Sequence, residues 1–204
     1  MRTSSEIDVI SKRATKAAGF SWGIAEEVGK NIKNLELLSI SGIENLNLYL
    51  KKIKGKISKG PYEINSENKL DSDFFCPFYT GTILIDHAKE LAKLKNIKFE
   101  CVHFPILLIP FINRLSSTIG HKIEMKIDNY NIIMNLNSYV ASDTDLRKKI
   151  IESAKIVEIN ILDNEDSFNS SVWKELYELS TETFVEESER LKANAAGAGL
   201  ADND

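Results

Sequence analysis

The sequence predicts an α+β fold, an amino-terminal helical bundle beside a small, mainly antiparallel sheet with flanking helices. Three observations carry that expectation. Residues 4–53 contain three stretches whose apolar residues recur at helical spacing, joined by brief connections. Residues 121–136 alternate apolar and polar side chains around Asp128-Asn129, the pattern of a hairpin with one buried face. From Ser170 a further stretch carries Trp173, Leu176, Tyr177, Ser180 and Phe184 at helical intervals and closes the chain as a long helix.

The elements follow in order. Ser4 or Ser5 caps a first helix through Ile7, Ile10, Ala14 and Ala17, a stripe expected to face the core, and Gly19 ends it. Ser21 opens a second helix, with Glu26 and Glu27 in its first turn and Ile24, Val28, Leu35 and Leu38 facing one way. Ser41-Gly42 leads to a third, through Ile43, Leu46, Leu50 and Ile53. Gly, Ser, Lys, Pro and Asn dominate residues 54–73, which read as a linker or a mobile lid. Helix is expected over 80–94 and strand over 97–103. A helix follows through Leu107, Phe111, Leu115 and Ile119, which Pro110 must either start or kink and which Gly120 ends. Beyond the hairpin, Asp143 or Thr144 caps a helix through Leu146, Ile150 and Ala154, and residues 156–162 form a last strand. The organisation is therefore a helical region over 1–54, a loop or linker over 55–73, and an α+β region over 74–204 ending in a Gly/Ala tail, in one compact domain overall.

Composition narrows the function classes. A hydrophobic fraction of 43% supports a sizeable core without disulfide or metal, and a net charge of −4 with interspersed signs argues against nucleic acid as a partner. No apolar run approaches the roughly 20 residues that span a bilayer, so no membrane partner is expected and the reading is cytoplasmic. Cys76 and Cys101 are expected as free thiols.

Three segments resemble a known family: Gly19-Phe20-Ser21-Trp22-Gly23-Ile24-Ala25-Glu26-Glu27, the run from Cys76-Pro77 to Asp86-His87-Ala88, and the closing Glu187-Ser188-Glu189-Arg190 to Asp202-Asn203-Asp204. Together they look like an uncharacterised bacterial family, domain of unknown function 3726. The resemblance extends along the chain, with the Gly-Ala-Gly-Leu-Ala-Asp-Asn-Asp ending its most specific part. It implies a bacterial, soluble, single-domain protein and brings no activity with it.

Chemistry must therefore be read from the residues themselves. Cys76 ends a loop before Pro77 and about one turn before a helix start near Thr80-Gly81, where a helix N-terminus lowers a thiol pKa; His87 or His103 would supply the base for a hydrolase acting on an amide or ester. The competing reading is a buried cysteine acting as a small apolar side chain. Asp86 joins the catalytic candidates Cys76, His87 and His103, although adjacent helical residues diverge by about 100° and cannot form a mutual dyad with His87. Cys101 and His103, two apart on a strand, would share a face as an acid–base or metal pair, or as a core cysteine beside a hydrogen-bonded histidine. His87, His103 and His121 match no compact ligand spacing, so no metal site is assigned. Trp22 and Trp173 read as core.

The tail supplies the remaining candidates. Gly197 and Gly199 would let backbone approach a ligand or partner closely, while Asp202, Asp204 or the terminal carboxylate caps a cation; Arg190 and Tyr79 are grouped with them for ligand or partner binding. Two functional readings result. One is a small-molecule catabolic hydrolase using Cys76, acting on an organic acid or amide. The other is a noncatalytic subunit or assembly partner of an enzyme complex, docking through its tail, as a homo-oligomer or within a hetero-complex.

Overall fold

A computed structural model describes residues 2–53, 55–70, 73–136 and 139–183. The chain divides into two units, Met1–Asn164 and Glu165–Asp204. The first opens with three helices, α1 (Ser4–Ala17), α2 (Trp22–Leu37) and α3 (Gly42–Ile53). Thr3 rather than Ser4 or Ser5 caps α1, accepting from the Glu6 N–H, and Ser21 caps α2 as the sequence predicts. Gly19, at φ 106°, takes the left-handed turn between them that a residue with a Cβ resists.

The way α1 packs departs from the sequence reading. Its only buried residues are Ser11 and Thr15, whose hydroxyl donates back to the Ser11 carbonyl at 2.8 Å. The side of α1 that carries Asp8 and Lys12 approaches α2 so closely that a Cβ on Gly29 would lie 2.7 Å from the Asp8 carbonyl oxygen. The expected core stripe is left on the outside: Ile10 is 59% exposed and Ala14 is exposed as well.

The sheet has strand order β1-β2-β6-β3-β4-β5, formed by β1 (Glu67–Asn68), β2 (Asn96–His103), β3 (Ile123–Ile127), β4 (Tyr130–Asn135), β5 (Tyr139–Ser142) and β6 (Ser153–Ile161). Among the named strands the β1–β2 pairing is parallel and the others are antiparallel. The hairpin pairs Ile127 with Tyr130 across Asp128-Asn129. Asp128, at φ 48°, turns its carboxylate to accept the Ile156 N–H at 2.9 Å, fastening the turn to β6. Ile123, Met125 and Ile127 join Ile97, Phe99, Ile132, Met134, Val157, Ile159 and Ile161 on the buried face.

The helices on that face are α4 (Pro77–Asp86), α5 (Ala88–Leu94) and α6 (Ile109–Ile119), the last preceded by a 3-10 turn at Pro105–Leu108. Helix α6 contacts both β3 and β4. Pro110 starts α6 rather than kinking it, and Gly120 closes it at φ 71°. Gly81 lies against the Phe111 ring, where a Cβ would come within 2.3 Å. The single helix expected over 80–94 is two, parted at His87, and the first begins at Pro77.

The helix expected from Asp143 or Thr144 to Ala154 is absent. Residues 143–152 form a loop: the Asp143 carboxylate accepts from the Asn131 N–H, Asn45 donates to the Lys149 carbonyl at 2.9 Å, and Ala154 lies in β6. Side-chain bonds to the backbone replace the helical ladder there. The linker region, for its part, contributes β1.

The second unit contains α7 (Ser170–Thr181), capped by Asn169 through the Val172 N–H at 3.0 Å. Phe168 stacks on Trp173 with ring centroids 5.3 Å apart. Trp22 and Trp173, expected in the core, are more than half exposed. Phe184 and the tail residues Arg190, Gly197, Gly199, Asp202 and Asp204 lie outside the described residues.

Candidate functional site

Cys76 stands at the N-cap of α4, which begins at Pro77, about one turn earlier than the start near Thr80-Gly81 that the sequence predicts. It is fully buried. Its N–H donates to the Lys59 carbonyl at 2.9 Å, and its sulfur accepts the Tyr49 hydroxyl at 3.0 Å. Tyr49 reaches it from α3, itself fully buried, with its ring edge-on to Phe78 at 5.2 Å and beside Phe104 at 5.6 Å. The expected lowering of the thiol pKa does not occur. Burial pushes Cys76 up to about 11, outweighing the Tyr49 hydroxyl and the N–H groups of Tyr79 and Phe78, which pull the other way. Burial also raises Tyr49, with Cys76 adding to the shift.

His103 ends β2 in the same neighbourhood, its ring 6.4 Å from Tyr49 and stacked on Phe74 at 4.2 Å. It is largely buried, and its Nδ1 has no hydrogen-bond partner. Burial, and after it the Lys52 ammonium, hold the imidazole below its usual pKa. Cys101 does not share its face. Cys101 adopts φ 58°, and the alternation that buries Ile97 and Phe99 breaks there, so that Val102 and His103 are both buried while Cys101 is half-exposed. Both cysteines are free thiols, as expected.

The other candidates lie apart. Asp86 is the last residue of α4 and His87 follows it, both exposed, whereas Cys76 precedes the first. Ten helical residues put roughly 15 Å between the two ends, so neither serves Cys76. His87 borders a shallow recess of about 320 Å³ with Glu63 and Glu90. Tyr79 is half-buried against Phe20 at 5.8 Å and borders a second shallow recess of about 340 Å³ with Lys59 and Gly60. No group of three or more His, Cys, Asp or Glu among the described residues is placed to hold a metal ion.

The larger feature is a groove of about 630 Å³ between α1 and α3, which no single sequence motif announces. Ile7, Ile10 and Ala14 line one wall and Ile43, Leu46 and Leu50 the other. Arg2, Glu6, Glu44 and Asn47 stand at its rim, with Arg2 paired to Glu6 at 3.0 Å. Ile43 is 42% exposed. The signal for it in the sequence is Gly29, whose missing Cβ admits Asp8 and Lys12 of α1 against α2 and leaves Ile7, Ile10 and Ala14 to line the groove.

Residues 2–69 match the model of a family described as a protein of unknown function, DUF3726. This is the family the sequence resembles, matched over about a third of the chain. Of the three segments that carried the resemblance, the one from Gly19 to Glu27 falls inside the match; the Cys76–Ala88 segment and the tail fall outside it. The match contains α1, α2, α3 and β1, hence both walls of the groove. Neither the curated proteins nor the solved structures yield a match. No helix among the described residues is long and apolar enough to cross a membrane.

Proposed function

We propose that this protein is a noncatalytic assembly module that receives an amphipathic helix in the groove between α1 and α3. One observation carries the reading: α1 meets α2 through Asp8 and Lys12 at Gly29 and holds its apolar stripe, with Ile10 59% exposed, beside the apolar wall of α3. Exposing that stripe has a cost in water that burial by a partner removes, at about 25 cal/mol per Å². An open trough between two helices, apolar along its floor and polar at its rim, suits the helix-in-groove mode of recognition. The portion of the chain that matches the family model also contains the whole groove.

The hydrolase reading has less support. A nucleophilic thiol needs thiolate character and access, and Cys76 has a pKa near 11 and no exposed surface. The Cys76–Tyr49 pair and His103 serve as core: a small sulfur accepting one hydroxyl, and an imidazole kept neutral by burial.

Site-specific photo-crosslinking tests the assembly reading. A benzoylphenylalanine in place of Ile10 or Ile43 in the full chain, irradiated in the producing cells, is expected to give an adduct mapped to the apolar face of a helix. The same probe in place of Tyr62, which is exposed and away from the groove, is expected to give none. Absence of adducts from both groove positions, or identical adducts from all three, overturns the reading.

A further inference from the structure

The chain itself contains a helix with the features that the groove selects. Helix α7 places Val172, Trp173, Leu176, Tyr177 and Leu179 on one arc of about 160° and Ser171, Lys174, Glu175 and Glu178 on the other. All five apolar side chains are at least half exposed, and Phe168 on Trp173 is the one ring contact among the described residues of its unit. Its 12 residues extend about 18 Å, the length of the 12-residue α3 wall and close to that of α1.

Charge points the same way. Residues 165–204 carry 10 acidic and 3 basic side chains, a net −7, which leaves +3 on residues 1–164. At the groove, Arg2 pairs with Glu6 on a rim that also carries Glu44, and Arg13 and Lys51 continue it at helical spacing from Ile10 and Asn47. Glu175 borders the apolar arc of α7, and Lys174 and Glu178 pair with each other at 3.8 Å, leaving Glu175 as the anionic edge of the helix.

We infer that the groove between α1 and α3 of one copy receives helix α7 of a second copy, by juxtaposing its Ile7, Ile10, Ile43 and Leu50 with Trp173, Leu176 and Leu179. This inference rests on the groove being a helix-docking site and names its occupant. Groove and helix are different surfaces, so a single contact is heterologous; two copies that exchange α7 reciprocally make it twice and close a dimer.

Native mass spectrometry of the purified full chain at roughly 1–100 µM tests this, because that range spans the affinities expected of such a contact. The wild type is expected to dimerise. Leu176→Glu and Ile43→Glu are each expected to weaken the dimer at least tenfold. A mixture of the two is expected to form a heterodimer through the one intact groove and the one intact helix, weaker than wild type but stronger than either variant alone. A wild type that stays monomeric throughout, or a dimer indifferent to both substitutions, overturns the inference. The two levels separate through the crosslinks: an Ile10-position adduct with another polypeptide and a monomeric purified chain leave the groove reading standing and remove the second copy, whereas no groove adduct removes both.

Discussion

The core around Cys76 and the groove between α1 and α3 are opposite solutions to placing side chains against their neighbours. Around Cys76, chemically versatile residues are sealed: a thiol, a phenol and an imidazole lie among Phe74, Phe78 and Phe104, and burial drives each toward its neutral form. Along α1 the reverse holds. Chemically plain residues, Ile7, Ile10 and Ala14, line the groove, while Asp8 and Lys12 meet α2 at Gly29.

The comparison can be broken from either side, beginning with the largest effect. Tyr49→Ala empties a fully buried site in the core and is expected to cost about 3–5 kcal/mol, read as a lower midpoint in urea with an unchanged slope. A cost of less than 1 kcal/mol would mean that Tyr49 is not packed as core. Alkaline titration comes next. The folded thiol, near 11, lies above its ordinary 9.0, so its contribution is complete below pH 9 and is lost as pH rises through 11, at no more than about 1.4 kcal/mol per pH unit. Tyr49, also raised, adds to the loss above about pH 10. Stability measured across pH 8–11 in wild type and Cys76→Ala should show the shallower fall in the variant; parallel curves would mean that the thiol titrates as a free one.

Cys76→Ala itself should cost about 1–3 kcal/mol, because the Tyr49 hydroxyl loses its acceptor inside the core. In the native state Cys76 should react with a thiol reagent far more slowly than half-exposed Cys101, as peptide mapping after brief labelling would record. Fast labelling of Cys76 would restore the hydrolase reading. The smallest effect on stability belongs to the groove. Ile10→Glu should shift folding stability by no more than about 0.5 kcal/mol, since the side chain is already mostly in water. Its consequence should appear in docking alone.

Legibility in the sequence followed how local each determinant is. The hairpin at Asp128-Asn129, the cap at Ser21 and the helix stop at Gly120 were readable because each depends on residues a few positions apart. The stretch 143–152 was misread because Asn45, about a hundred residues upstream, takes the Lys149 carbonyl. The same-face pairing of Cys101 and His103 failed for a backbone reason, the left-handed φ at Cys101, that no alternation pattern encodes. The sequence puts Cys76 about one turn before a helix that in fact starts at Pro77, and its pKa moves opposite to the dipole expectation, since that argument depends on exposure that only tertiary packing decides. The stripe on α1 was recognised and then assigned inward; its true orientation was set by the close approach of Gly29 to Asp8.

The most direct measurement sets the two regions side by side in one assay. A photo-crosslinker in place of Ile43 would be read in three chains, one otherwise wild type, one with Cys76→Ala and one with Ile10→Glu. The account predicts that Cys76→Ala retains the adduct and Ile10→Glu loses it while both proteins remain folded; loss with Cys76→Ala and retention with Ile10→Glu would contradict it.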